Sequence, residues 1–269
     1  MRTRTLDWEA LRNARDLGGL ALDDGGETRF GGVARSETLR QLTPVGWDAL
    51  AAYGVATVLD LRFGFEIEND RPLDAGPLGP LDPSAPPAPP RDGHAVQFAT
   101  VAISLFGEPD PRVAEHFDAI SRAQPDEVAS IRAVYLEVLA LYRPHLARAV
   151  AAVADAEPEG CLLVHCHAGK DRTGLVVALL LAVAGVSPEA IAADYALSGR
   201  NLADSLASWV EGGADPESRE HRRRISVAPQ QAMLDVLGEL ASRYDGAASY
   251  LRDAGLSESH LDRVRMRLV

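Results

Sequence analysis

The stretch Gly160-Cys161-Leu162-Leu163-Val164-His165-Cys166-His167-Ala168-Gly169-Lys170-Asp171-Arg172-Thr173-Gly174 decides the reading of this chain of 269 residues. Gly160 opens a short apolar run, residues 161–164, with the length and composition of a buried strand. Residues 174–185 are almost wholly apolar and read as a buried helix. Between them lies a short loop that contains glycine. A strand that ends in such a loop and continues as a helix aims backbone N–H groups at one point. The helix N-terminus adds partial positive charge there, so the junction suits an oxyanion before any side chain is counted.

The side chains sharpen that reading. Cys166 and Arg172 are separated by five residues, a spacing that lets one loop wrap a phosphate. Arg172 can hold two phosphate oxygens through its planar fork, and Cys166, at the strand end, lies where it can attack phosphorus in line. The nucleophile must be a thiolate. An ordinary thiol pKa of about 8.5 leaves only a few per cent ionised at neutral pH. Lowering it by about 1.5 units, on the order of 2 kcal/mol, ionises most of it. The helix dipole, Arg172, Lys170 and the Thr173 hydroxyl supply the means, and His165 is expected to order the loop through hydrogen bonds.

Simpler readings fit less well. A buried cysteine at a strand end is most often inert core, but glycine, lysine, arginine and a hydroxyl at these offsets point to a cysteine-dependent phosphatase. His165-Cys166-His167 makes a poor metal site, because adjacent strand residues point to opposite faces. A Walker-type nucleotide loop requires Ser or Thr after the glycine-lysine pair, and Asp171 stands there instead. Cys161 lies about 16 Å from Cys166 along an extended strand and on the other face, so it reads as core packing.

Composition bounds the rest. Of 27 basic residues 26 are arginine, and the single lysine, Lys170, falls in the loop. The formal net charge of -12 disfavours nucleic-acid binding and requires any phosphate site to be a local island of positive potential. Two cysteines do not make a disulfide framework. Residues 1–11 lack the apolar core of a cleavable signal. The apolar run 175–186 is too short to span a bilayer. These features lead us to expect a protein without a transmembrane segment, cytoplasmic or exported without a cleavable signal peptide. Nothing in the sequence calls for a metal or other cofactor, and none of it indicates an oligomeric state.

Along the chain, Thr43-Pro44 caps a helix over 45–53, Gly54 closes it, and residues 55–59 form a strand that ends in Asp60-Leu61-Arg62. Residues 72–93 are a proline-rich loop. Residues 126–153 read as helical with a break at Pro144. Ser187-Pro188-Glu189 caps a helix to about residue 198, and further helices are predicted over 230–244, 247–253 and 258–268. Arg219 with Arg222-Arg223-Arg224 reads as a solvated loop rather than a membrane-docking patch. The pattern predicts one α/β domain over 1–269, a central, mainly parallel sheet flanked by helices.

Residues 165–174 resemble the signature of the protein tyrosine phosphatase superfamily. The Lys170-Asp171 pair before the arginine resembles its bacterial atypical group of protein and phosphoinositide phosphatases. Asn13-Ala14-Arg15-Asp16-Leu17-Gly18-Gly19, Arg35-Ser36, Asp60-Leu61-Arg62 with Glu66, Ala193-Asp194-Tyr195 and Tyr250-Leu251-Arg252-Asp253-Ala254-Gly255 resemble that group's landmarks in its order. The likeness spans most of the chain and is weakest over 72–125. It implies a tyrosine phosphatase-like fold with a helical lid at about 94–143. It also implies a metal-free reaction through a phosphocysteine, with phosphotyrosine proteins, phosphoserine/threonine proteins and phosphoinositides as substrates.

Carried over by position, the resemblance makes Cys166 the nucleophile and Arg172 the phosphate clamp. The backbone amides of His167, Ala168, Gly169, Lys170, Asp171 and Arg172 become the cradle. The superfamily's Trp-Pro-Asp loop is missing, which leaves two candidates for the general acid: Asp171 in the loop and Asp82 in Gly79-Pro80-Leu81-Asp82-Pro83. Asp171 serves equally as a salt-bridge partner of Lys170 or Arg172, and Asp82 as a turn residue. Lys170 either contacts a second phosphate or balances Asp171. Arg15 and Asp16 either brace the site or cap the turn before Gly18-Gly19. Residues 96–106 either cover the site or pack on the sheet. The rival functions are a dedicated inositol-phosphate or lipid phosphatase and a phosphate-binding scaffold, and an intact Cys166 and Arg172 argue against the scaffold.

Overall fold

The computed structural model describes residues 2–69 and 98–269. The proline-rich loop and Asp82 lie outside the described residues. Five strands, β1 (Arg15–Asp16), β2 (Val33–Ser36), β3 (Val55–Asp60), β4 (Ala99–Ala102) and β5 (Cys161–His165), form one sheet in the order β1-β2-β5-β3-β4. Only the β1–β2 pair is antiparallel. Helices α1 (Pro44–Ala52) and α2 (Gly64–Asn69) flank β3. After β4 come α3 (Pro111–Arg122), α4 (Glu127–Leu141) and α5 (Arg143–Asp155). After β5 the chain is helical: α6 (Asp171–Val183), α7 (Pro188–Asn201), α8 (Ala203–Glu211), α9 (Pro216–Ser226), α10 (Gln230–Tyr244), α11 (Ala247–Asp253) and α12 (Glu258–Leu268).

Central β5 is buried along its whole length, and its residues alternate between two cores. Leu162 and Val164 enter the larger one with α4, α5, α6 and α10. Cys161 and Leu163 enter the smaller one with Trp8, Trp47 and Leu50. Burying each such aliphatic side chain contributes roughly 1.5–3 kcal/mol. The period of two also places Cys166 in the larger core, on the face opposite Cys161.

Register sets the level of the site. Ser36 and Asp60 both align with His165, so β2, β3 and β5 end together, and the segments that follow them leave from one edge. Ligands in such sheets bind beyond the carboxyl ends of the strands.

Several expectations need correction. Helix α6 begins at Asp171, not Gly174. The acidic residue suits the first turn, and Gly174 lies within the helix, where the Tyr195 ring comes to 3.0 Å of where a Cβ would stand and so favours glycine. Residues 219–224 are not a loop but part of α9, capped by Asp215 with Pro216 in the first turn. That helix buries no residue, so it shows no apolar periodicity. It is held by polar contacts, among them Arg222 to the Trp209 carbonyl at 2.7 Å and Arg224 to the Gln124 carbonyl at 3.0 Å. Within the expected lid, residues 99–102 are the edge strand β4, and Ile103 and Leu105 join the larger core. This part packs on the sheet; α3 and α4 follow it. No helix among the described residues is long and apolar enough to cross a membrane.

Candidate active site

The loop between β5 and α6 is shaped by what holds its carbonyls. The His167 carbonyl accepts the Thr38 N–H at 2.9 Å. The Asn13 amide donates to the Ala168 and Gly169 carbonyls at 3.1 and 3.2 Å, and Arg35 Nη2 donates to the Gly169 carbonyl at 2.7 Å. In a trans peptide the N–H points opposite the C=O. Three carbonyls held outward therefore turn the N–H groups of Ala168, Gly169 and Lys170 to the inside of the loop. Among the described residues, no acceptor takes the backbone N–H of any residue from 168 to 172. Gly169 has φ +66°, and a Cβ there would lie 2.2 Å from the Ser36 carbonyl oxygen, so only glycine fits this close to β2. Cys166 sits at the start of the loop, 3% exposed.

Arg172 is anchored by a carboxylate. Its Nη2 donates to Glu66 Oε1 at 2.8 Å and its Nη1 to Glu66 Oε2. Glu66 also reaches back to accept the Phe63 N–H at 2.9 Å, capping α2. The guanidinium stands 5.6 Å from the Phe63 ring centroid, within cation–π reach. Two of its five N–H donors are taken by Glu66, and the Nε–H and second Nη2–H, side by side on one edge, stay available for an oxyanion. Burial lowers the Arg172 pKa, but the bond to Glu66 and the charge of Cys166 more than offset this, and the group is held charged. Burial likewise pushes Glu66 up, and Arg172 overrides it, leaving the carboxyl below its usual range.

His165 donates from Nδ1 to the Cys166 carbonyl at 3.1 Å, with its Nε2 3.6 Å from Asp60 Oδ2. Asp60 in turn accepts from Arg62 Nη2 at 2.8 Å. Burial, followed by the Asp16 charge, pushes the Cys161 thiol up to about 12, in keeping with an inert core residue. The Thr173 hydroxyl, expected to support Cys166, is fully buried and has no hydrogen-bond partner among the described residues.

Lys170 is 2% exposed, and all three ammonium donors are occupied. They go to Asp171 Oδ1 at 2.6 Å and to the Ile225 and Val227 carbonyls at 3.0 Å each. The side chain ties the loop to the end of α9, while its backbone N–H belongs to the cradle. Asp171 Oδ1 also accepts the Tyr135 hydroxyl at 2.6 Å. Burial, reinforced by Asp171, holds the Tyr135 pKa well above its usual value, so the hydroxyl stays a donor. The Asp171 side chain is 42% exposed. If Lys170 is structural, Lys170→Met should lower kcat/KM for an aryl phosphate and for an inositol phosphate by the same factor. It should also cost about 1–3 kcal/mol in chemical denaturation. A loss confined to the inositol substrate would restore the second-phosphate role.

Arg15 and Asp16 divide their roles. The Asp16 carboxylate accepts the N–H groups of Gly18 at 2.5 Å and Gly31 at 2.8 Å and the Tyr53 hydroxyl, so it caps a turn and takes no bond from the loop. Arg15 faces the loop's support, donating to Asn13 Oδ1 at 2.6 Å and Asp194 Oδ1 at 3.0 Å. Arg35 Nη1 donates to Asp194 Oδ2 at 2.9 Å. Burial pulls Asp194 up, but Arg15, Arg35 and Arg4 together hold it far below the usual carboxylate range. Burial and then Arg15 lower Arg35 to about 10, so it remains charged at neutral pH. Asn13, Arg35, Glu66 and Asp194 were visible in the sequence only as landmarks without a role, and Tyr135 carried no signal.

A buried cysteine at a strand end, a loop of inward N–H groups and an anchored arginine define an α/β protein with a cysteine-containing oxyanion loop. The tyrosine phosphatase family model matches residues 6–269, and the chain belongs to that family. It is 32% identical over 244 residues to a tyrosine-protein phosphatase of Nostoc commune, covering 87% of this chain and 73% of that one. It is 28% identical over 257 residues to the triple specificity protein phosphatase PtpB of Mycobacterium tuberculosis, covering 88% and 90%. The protein is a phosphatase, and its substrates are phosphorylated.

Proposed function

We propose that the protein hydrolyses phosphate monoesters through a phosphocysteine at Cys166, with phosphotyrosine proteins as substrates and phosphoserine/threonine proteins and phosphoinositides also accepted. The observation that carries this reading is the loop of residues 166–172. Its carbonyls are held outward, its N–H groups turn inward, and the Arg172 fork is fixed by Glu66. In the first step the Cys166 thiolate attacks phosphorus, an S–P bond forms, and the P–O bond to the leaving group breaks. The leaving oxygen takes a proton from an acid. Water then attacks phosphorus, gives up a proton, and the S–P electron pair returns to sulfur. The amides and Arg172 stabilise the phosphoryl oxygens in both steps.

Asp171 is our choice for the acid. Tyr135 and Lys170 both hold its Oδ1, which fixes the group beside the loop. Asp82, the other candidate, lies outside the described residues. Broad acceptance is supported by the name of the mycobacterial relative, a triple specificity protein phosphatase. Lys170, the residue suggested by the sequence for contacting a second phosphate, has its side chain committed elsewhere, which weighs against the rival, a dedicated inositol-phosphate or lipid phosphatase. A substrate panel tests the reading: small aryl phosphate, phosphotyrosine and phosphothreonine peptides and an inositol phosphate, all with a metal chelator. We expect turnover of the aryl phosphate and phosphotyrosine peptide undiminished by the chelator; turnover of the inositol phosphate alone would favour the rival.

A further inference from the structure

The outer side of the loop rests on a cluster in which three guanidinium groups share one carboxylate. Arg4, Arg15 and Arg35 all pair with Asp194. Arg15, Arg35 and Asp194 are each at most 2% exposed. The nearby buried carboxyl of Glu37 accepts the backbone N–H groups of Arg12 and Asn13, and burial raises its pKa. Around Asp194 three guanidinium groups meet one carboxylate, so the cluster holds more positive than negative charge, most of it buried. Unbalanced buried charge is costly, so an excess kept here calls for a compensating role.

We propose that Arg35 is a positioning residue for phosphate-ester hydrolysis, holding the Gly169 carbonyl out of the cradle and setting a fixed positive charge behind it. The proposal rests on the reading of residues 166–172 as the phosphate site. Three groups hold the carbonyls of His167, Ala168 and Gly169, and of these Thr38 and Asn13 are neutral; Arg35 alone brings charge. Its bond to the Gly169 carbonyl, 2.7 Å, is the shortest of them. The guanidinium is fixed from the other side, Nη1 to Asp194 Oδ2 at 2.9 Å, with Ser198 Oγ 3.4 Å from Nη2. Because the Gly169–Lys170 peptide is trans, pinning its carbonyl aims the Lys170 N–H into the loop. Arg35 thus supplies part of the local positive potential that a chain with net charge -12 needs in order to bind a dianion.

The test uses the full chain, inorganic phosphate as competitive inhibitor, and two alkylating agents that read the local potential. Arg35→Met removes the charge and the grip; Arg35→Lys keeps the charge and gives up the fork. In Arg35→Met, kcat/KM for a small aryl phosphate should fall about 10- to 100-fold, and inhibition by inorganic phosphate should weaken about tenfold. Iodoacetate and iodoacetamide attack the same thiolate and differ in charge. Their rate ratio at Cys166 should fall about three- to tenfold in Arg35→Met. Arg35→Lys should return the ratio to within about twofold of wild type while restoring only part of kcat/KM. An arginine that only stabilises the fold would lower turnover without moving the ratio.

A folded Arg35→Met enzyme with wild-type ratio and phosphate inhibition overturns the proposal. Should Arg35→Met fail to fold, Arg35→Lys decides. Undiminished kcat/KM in that variant overturns the positioning role, and a ratio that falls despite the retained charge overturns the charge role. Failure of the underlying reading shows separately, as full turnover by Cys166→Ser.

Discussion

Cys166→Ser is expected to lower kcat/KM for a small aryl phosphate by about four orders of magnitude or more, with thermal stability close to wild type. A serine hydroxyl must lose a proton far less readily released than that of a thiol, and among the described residues the histidine before it is not arranged to take it. His165 is turned to the Cys166 carbonyl and to Asp60. The same substitution leaves the Arg172–Glu66 pair and the three outward-held carbonyls in place. Competitive binding of inorganic phosphate, measured by its protection of the protein against thermal unfolding, should therefore persist in the variant. Loss of phosphate binding together with turnover would mean that the serine had disturbed the loop and not only the nucleophile.

Arg172→Lys should cost about 10²- to 10³-fold in kcat/KM although the charge is conserved. The arginine works as a fork, engaging Glu66 through two nitrogens while keeping a second edge of donors for phosphate. A lysine ammonium cannot do both from one point. Glu66, itself only 7% exposed, would also lose half of its paired contact, so chemical denaturation should show a loss of about 1–3 kcal/mol. Steady-state kinetics checks the first effect. A kcat/KM within tenfold of wild type would show that the fork geometry is not used.

The parts of the fold that were legible in the sequence are those whose pattern is local. β5 and α6 announce themselves by continuous apolar runs, and α10, α11 and α12 begin and end where capping and turn residues such as Gly246 and Ser257 place them. α9 escaped because it buries nothing, and α8 was not foreseen. β2 escaped because one of its four residues, Arg35, is a fully buried arginine, which the apolar alternation of a strand does not anticipate.

The same distinction holds at the site. Cys166 and Arg172 lie in one loop, so their spacing alone could suggest a phosphate cradle. Asn13, Arg35 and Glu66 act on that loop from distant positions in the chain, and the strand register that levels Ser36, Asp60 and His165 brings the β2 and β3 ends to it. That register is a tertiary fact. The Lys170 side chain was readable as a charge beside a phosphate, but its partners, the carbonyls of Ile225 and Val227, lie at the end of α9, more than fifty residues away in the chain.

The central claim is that the reaction passes through sulfur at Cys166. Rapid quenching of wild-type enzyme during turnover of an aryl phosphate, followed by digestion and mass spectrometry, tests it most directly. We expect one phosphoryl group on the peptide that carries Cys166 and none in Cys166→Ser. Steady turnover with no phosphorylated peptide, or with the phosphoryl group on another residue, would contradict the account.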